Sequence, residues 1–177
     1  MDATEIRAFQ PSDAGAVRDL FIKVNRRLAP PGMQQAFEDY IARSLVEEID
    51  CIASYYDARD GGFWLAEQAG RLVGMFGLEA SSPAAMELRR MYVDPDVRRR
   101  GLGRMLLQFA EDECRRRQCL RLELSTSALQ TEALALYRSA GFQLMHEEIA
   151  DAASNKTLGG GLRRFHFSKI LPACNAR

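Results

Sequence analysis

Residues Ala85 to Gly103 read Ala-Met-Glu-Leu-Arg-Arg-Met-Tyr-Val-Asp-Pro-Asp-Val-Arg-Arg-Arg-Gly-Leu-Gly, and the fold follows from how they are read. Met86 to Val93 is an extended, apolar-leaning run that stops at Asp94-Pro95. Proline has no amide hydrogen and biases its predecessor away from helix, so a strand should end there. A short basic loop follows. A helix opens at Gly101, because Leu102, Met105, Leu106 and Phe109 fall at i, i+3, i+4 and i+7. Strand, arginine-rich loop, glycine and helix together make an anion site. The free amides and positive dipole end of the helix point at the loop, and Gly101 and Gly103 have no side chain to block a phosphate. The stretch is not a P-loop, since no Gly-Lys-Ser/Thr follows, nor a dinucleotide fingerprint, since the third glycine is missing. Taken alone, these residues also fit a tight strand-to-helix turn with solvated arginines.

Upstream, Ile6 to Phe9 is a short strand ended by Gln10-Pro11. Ser12-Asp13 caps a helix whose apolar face is Val17, Leu20, Phe21, Val24 and Leu28. Pro30-Pro31-Gly32 ends it. A second helical stretch runs from about Gln34 to Tyr56, as one helix or two, with Phe37, Ile41, Leu45, Ile49 and Ile52 on one side. The acidic residues Glu38, Asp39, Glu47, Glu48, Asp50, Asp57 and Asp60 then form a solvated face over a buried apolar one. Asp60-Gly61-Gly62 breaks the helix. Phe63 to Gln68, a turn at Ala69-Gly70, and Arg71 to Ala80 read as a β-hairpin. Gly74 and Gly77 in its second arm mark a bulge or a close backbone approach. Ser81-Ser82-Pro83 turns the chain into the central strand.

Downstream of the central helix, Leu120, Leu122 and Leu124 alternate with Arg121 and Glu123, the period of a strand. A helix from about Leu129 to Ala140 presents Ala133, Leu136, Tyr137 and Ala140 on one side, and Gly141 stops it. Phe142 begins another strand, residues 150 to 161 read as a mobile loop or hairpin tip, and Leu162 to Ile170 is the last strand. The order β-α-α-β-β-β-α-β-α-β-β is a mixed α/β sheet in one domain, residues 1–171, with a frayed tail at 172–177.

The chain has 177 residues, enough for one domain with a sizeable core, and its 24 basic and 24 acidic residues cancel. A neutral chain lacks the bulk electrostatic footprint of a nucleic-acid binder, so no nucleic-acid partner is expected. Cys51, Cys114, Cys119 and Cys174 form no C-x-x-C pair, and His146 and His166 stand twenty residues apart, which argues against a zinc site or any other metal. Free thiols suit a reducing, cytoplasmic location. No run approaches the roughly 18 apolar residues of a membrane span, and no signal-peptide pattern is present, so no membrane partner is expected.

The spacing Arg98-x-x-Gly101-x-Gly103 after such a strand resembles the acyl-CoA pyrophosphate loop of the GNAT family of N-acetyltransferases. Gln130-Thr-Glu-Ala133-Leu-Ala-Leu-Tyr137-Arg-Ser-Ala-Gly141-Phe142 resembles the family's N-x-x-A-x-x-x-Y-x-x-x-G-F pattern, with Gln130 at the asparagine position. The resemblance covers Phe63 to Phe142 well. Phe63-Trp64-Leu65-Ala66-Glu67, Val73-Gly74-Met75 and Ser125-Thr126-Ser127 are similar to the camello-type branch, some members of which acetylate cysteine conjugates and others protein lysines. The implied fold is a single-domain acyl-CoA N-acyltransferase, a mixed, mostly antiparallel sheet flanked by helices and splayed open between its fourth and fifth strands. The implied co-substrate is acetyl-CoA. Its pantetheine arm would pair with the backbone of Met91 and Val93 like an added strand. Its pyrophosphate would be held around Arg98, Arg99, Arg100, Gly101, Leu102, Gly103 and Arg104, with Gln130 and Tyr137 at the thiol end.

The resemblance further implies transfer of an acetyl group to a primary amine by direct attack in a ternary complex. The acceptor is left open among a small amine, a cysteine conjugate, a peptide N-terminus and a lysine. Since the acidic residues of 34–60 read as a solvated face and not a cleft lining, a polycationic aminoglycoside is not expected. An alkyl ammonium with a pKa near ~10.4 must first lose a proton. Glu87, eleven residues before Arg98, stands where protein-acetylating members carry a base, with Glu79 as second choice. Tyr137 stands where the family's tyrosine protonates the departing thiolate. The plainer readings are a strand-edge Glu87 paired with Arg89 or another arginine, and a Tyr137 packed in the core. The amide of Met91 would stabilise the oxyanion. A catalytically silent acyl-CoA-binding regulatory module is the alternative function. Family members are often dimers, so the resemblance allows a homodimer.

Overall fold

The computed structural model describes residues 3–97 and 101–172. Arg98, Arg99, Arg100 and the expected tail beyond Pro172 lie outside them. Seven strands form one sheet: β1 (Thr4–Ala8), β2 (Gly62–Gln68), β3 (Arg71–Ser82), β4 (Ala85–Val93), β5 (Arg121–Ser127), β6 (Gln143–Ala150) and β7 (Leu162–Ile170). Their order is β1-β2-β3-β4-β5-β7-β6, antiparallel throughout except for β4 against β5. A parallel neighbour needs a crossover, and helix α4 (Leu102–Arg116) supplies it. Helices α1 (Ala14–Leu28), α2 (Gln34–Glu47) and α3 (Ile52–Asp57) pack an apolar cluster of Phe21, Ile41, Tyr56 and Met75. A second cluster joins Phe76, Leu106, Leu122 and Phe167 beneath α4 and α5 (Thr131–Ser139).

The expected central strand ends where proline predicts. Asp94 accepts from Lys23 Nζ at 2.7 Å and Arg71 Nη2 at 2.6 Å, and its carboxylate also takes the amide of Asp96 at 3.0 Å. The strand end is thus pinned by a buried carboxylate as well as by Pro95. Gly101 caps α4 at φ 74, the left-handed region that glycine enters at no steric cost. The buried stripe of α4 is Leu102, Leu106, Ala110 and Cys114, an i+4 row joined by Leu107. Met105, expected on that face, is 42% exposed, because this row turns it to the rim.

The long helical stretch divides into two helices at Glu48 without glycine or proline. Glu48 leaves helical geometry at φ −145, and a 3-10 turn at Ile49–Cys51 leads into α3. Both hairpin glycines have the roles expected of them. A bulge displaces β3 beside Gly74, and a Cβ on Gly77 would lie 2.4 Å from the Tyr56 ring.

Beta-4 and β5 pair from Ala85/Arg121 to Leu88/Leu124 and no further. Beyond that point β5 stays with β7 through Ser127, while β4 stays with β3 through Val93. The parting coincides with a bulge in β4, where Arg90 sits at φ 52 and the register against β3 slips. A bulge adds a residue and sharpens twist, turning the strand away from its parallel neighbour. The result is a V-shaped opening whose two walls are strand edges.

Gly77→Ala should test the close approach. The added methyl must push Tyr56, itself buried and bonded to Glu48, and overpacking of this kind costs about 1–3 kcal/mol. Urea unfolding of the two proteins measures it.

Candidate active site

On one side of the splay lies a cavity of about 500 Å3, bordered by Met91, Val93, Gly101, Gly103, Gln130 and Leu136. All but Leu136 are positions expected to meet the co-substrate, and the structure brings them together, while Tyr137, expected at the thiol end, borders the adjoining cleft. Val24 and Leu28 of α1 complete the wall, which no sequence signal indicated. The first amides of α4 have no intrahelical partner, since the ladder starts with Met105 N on Gly101 O at 3.0 Å. A Cβ on Gly101 would meet nothing within 4 Å, so its surroundings are open. Leu102 turns its side chain into the core and offers only its backbone. Arg104 donates to Ser139 Oγ at 3.2 Å, tying the first turn of α4 to the end of α5. Free amides, a positive helix end and an open glycine fit a diphosphate.

Gln130 stands between this cavity and the adjoining one and borders both. Thr126, buried at the end of β5, donates its hydroxyl to Gln130 Oε1 at 2.6 Å. That bond fixes which way the amide faces and leaves Nε2 to donate. The longer side chain is therefore held rather than loose.

The adjoining cleft, between β4 and β5, is lined by Glu87, Arg90, Met91, Gln130, Tyr137 and Lys156 among others. Tyr137 is 6% exposed, with its ring centroid 5.9 Å from that of Phe142 and 6.2 Å from that of Phe167. Burial pushes its hydroxyl above the ordinary phenol value, so it stays protonated at neutral pH. Core packing and cleft position thus coexist in one side chain. Burial also pushes the Cys114 thiol up to about 12, which leaves it a poor nucleophile.

Beneath the cleft lies a buried charge cluster that the sequence reading missed. Glu48, expected on a solvated acidic face, has a fully buried side chain. Its Oε2 accepts from Arg89 Nη2 and Arg90 Nη2, both at 2.7 Å, and its Oε1 from the Tyr56 hydroxyl at 2.6 Å. Arg90 Nη1 donates to the Tyr40 hydroxyl at 2.6 Å, and Arg89 Nη1 to Glu79 Oε1 at 3.2 Å. Burial pushes the Glu48 carboxyl up, but the Arg90 and Arg89 guanidiniums and the Tyr56 hydroxyl prevail and hold it below its ordinary value. The signal in the sequence was Arg89-Arg90 itself. In a strand covered on both faces, at least one of two adjacent arginines must point inward and find an anion.

Among the described residues, Glu87 has no hydrogen bond to Arg89 or another arginine. It accepts from Lys156 Nζ at 2.7 Å, and the same amine reaches Glu79 Oε1 at 3.3 Å. Lys156 belongs to the segment between β6 and β7, expected as a mobile loop or a hairpin tip, and the antiparallel pairing of the two strands makes it the tip. That segment docks on the cleft: Arg90 Nη2 donates to Asn155 O at 2.7 Å, and Arg164 Nη1 to Lys156 O at 2.6 Å.

Residues 30–142 match the acetyltransferase (GNAT) family, and the chain belongs to that family. Human N-acetyltransferase 8 is 32% identical over 120 residues, 62% of this chain and 51% of its own. The protein named "Probable N-acetyltransferase camello" of Xenopus tropicalis is 32% identical over 121 residues, 67% of this chain and 55% of its own. The chain thus spans about half the length of these relatives. The crystal structure of the PaiA N-acetyltransferase of Thermoplasma acidophilum, in complex with coenzyme A, superposes with a TM-score of 0.75 at 19% identity, over 95% of this chain and 99% of that one. The fold is that of the family, as the sequence implied.

Replacing Glu48 by Gln should leave two buried guanidiniums without their shared anion, at a cost of about 3–5 kcal/mol. A carboxyl held below its ordinary value stabilises the fold above that value, 4.5, and ceases to do so as pH falls through its folded pKa. Wild-type stability should therefore fall in that acid range, and the Glu48→Gln protein should lack this part of the slope. Urea midpoints between neutral and acid pH give both numbers.

Proposed function

We propose that the protein transfers the acetyl group of acetyl-CoA to a primary amine, by direct attack in a ternary complex. The observation that carries this reading is the meeting of two cavities at Met91 and Gln130, with Tyr137 and Glu87 on the second one. Acetyl-CoA would lie along the free edge of β4, with Met91 and Val93 as backbone partners and its diphosphate on the amides from Gly101 to Arg104. Arg98, Arg99 and Arg100 keep the same expected role, although they lie outside the described residues.

At the thiol end, a Tyr137 hydroxyl kept protonated by burial suits a donor to the leaving thiolate. Glu87 suits a base for the incoming ammonium, once Lys156 gives way to the acceptor. Glu79, buried and bonded to Arg89 and Lys156, remains second choice. The Met91 amide is the donor for the oxyanion. Cys114, buried and with a raised pKa, does not serve as an acyl carrier, which favours direct attack over a covalent relay. Arg89, Arg90, Lys156 and Arg164 line the cleft against Glu87. That balance repels a polycation and suits an amine whose own molecule brings an anion, as a cysteine conjugate does. Exposed Leu144, Met145 and Ile149 on the edge strand β6 support a homodimer as the assembly.

Thiol release with a panel of amines separates this activity from a silent acyl-CoA-binding module. Tyr137→Phe should keep acetyl-CoA affinity and lower the single-turnover rate by ~10²–10⁴-fold. Glu87→Gln should remove the ascending limb of the pH–rate profile. Folded variants with wild-type single-turnover rates would refute both roles. Gly101→Asp, which puts a side chain and a like charge beside the diphosphate, should abolish acetyl-CoA binding in isothermal titration. Unchanged affinity would sink the cofactor assignment.

A further inference from the structure

The segment between β6 and β7 brings a primary amine into the cleft from within the chain. Lys156 Nζ lies 2.7 Å from Glu87 Oε2, and the residue lines the same cleft as Tyr137. Three of the 24 basic residues in the sequence are lysines. The other two are engaged elsewhere, Lys23 with Asp94 and Asp96, Lys169 with Glu111. For a purely structural bridge between Glu79 and Glu87, arginine is the better side chain, since its planar fork is always charged and donates in parallel. Lysine differs in one chemical respect. Deprotonated, it is a nucleophile.

The surroundings hold that amine in the cleft while leaving its backbone able to adjust. Buried Arg90 and Arg164 grip the carbonyls of Asn155 and Lys156. Shortly after come Gly160 and Gly161 at positive φ (65 and 80) with open surroundings, beyond a Gly159 packed against the backbone of residues 151–153. Lys156 is 42% exposed at its side chain, against 20% for Glu87, so the amine enters from the rim with its long stem free to sweep.

We propose that Lys156 is a built-in acceptor, and that the protein acetylates its own Lys156. The inference rests on the acetyl-transfer reading above. Glu87 takes one proton from the Lys156 ammonium, and the freed electron pair attacks the thioester carbonyl carbon. The N–C bond forms, the C–S bond breaks, and the sulfur leaves as thiol with a proton from Tyr137. A second proton is lost from the nitrogen. Lysine ammonium and acetyl-CoA thus give acetyl-lysine, CoA thiol and one net proton to solvent, which also restores Tyr137 and Glu87. A tethered amine needs no binding step and enjoys an effective concentration far above that of a free one. The product is a neutral amide, so modification also removes the cation that occupies Glu87 and Glu79.

The whole chain, incubated with acetyl-CoA and no added amine, is followed by intact mass and peptide mapping. One acetyl group should appear on Lys156, with a first-order rate constant independent of protein concentration. Lys156→Arg should take no label, Lys169→Arg should label like wild type, and Tyr137→Phe should slow labelling at least ~10²-fold. An unlabelled Lys156 overturns the proposal. So does label spread over Lys23 and Lys169 at a rate untouched by Tyr137→Phe, or a rate constant that rises with protein concentration. Thiol release with added amines is measured in parallel. Turnover of an added amine without labelling of Lys156 defeats this inference alone, whereas acetyl-CoA binding with neither reaction defeats the acetyl-transfer reading as well.

Discussion

One carboxylate, that of Glu48, neutralises two adjacent arginines under the centre of the sheet, and the shape of the cleft depends on it. Moving a guanidinium out of water carries a penalty of several kcal/mol, so Arg89 and Arg90 stay inside only while their anion and hydrogen-bond acceptors are in place. Consecutive residues of a regular strand face opposite sides. Both arginines reach the same carboxylate because Arg90 leaves strand geometry at φ 52 and takes up the extra residue of the bulge. The bulge in turn marks the point where β4 and β5 part. Ion pairing, backbone bulge and open cleft are therefore one feature seen at three scales.

The same carboxylate reaches outward to other elements. Its own backbone ends α2, which accounts for a helix break with no breaker residue in the sequence. Tyr56 from α3 completes its coordination, and Gly77 of β3 leaves the space that the Tyr56 ring fills. Asn155, whose carbonyl Arg90 holds, brings in the segment that carries Lys156. Five separated parts of the chain thus meet on one charge. The outcome is specificity of arrangement more than net stability, since an apolar cluster of equal volume would be as stable or more so.

Much of the fold was legible because it rests on local signals. Pro95, Gly101 and Gly141 mark the ends of their elements as their backbone chemistry requires, and the alternation at Leu122 and Leu124 gives a strand with both residues buried. The β4 and α4 borders of the cavity of about 500 Å3 were legible for the same reason, whereas its Val24 and Leu28 wall has no such local signal. What stayed hidden is long-range. Helical spacing could place Glu48 beside other acidic residues but could not reveal an arginine pair 41 and 42 positions away. A glycine-rich segment such as 150–161 reads as mobile because few of its side chains can pack. It is held instead through its carbonyls, which every residue has and no sequence pattern shows.

Tyr137 shows why a core residue and a cleft residue need not be alternatives. Its ring fills space against Phe142 and Phe167, while the residue also borders the cleft. Burial raises the phenol's pKa, since the phenolate loses its solvation while the neutral form loses little. A more exposed tyrosine would hold its proton less firmly but would be less fixed in position. A raised pKa by itself makes a phenol the weaker acid, so what the packing offers the proposed proton transfer is a fixed position for a neutral hydroxyl. The aromatic packing that reads as structural thus also fixes where the hydroxyl stands beside the cleft.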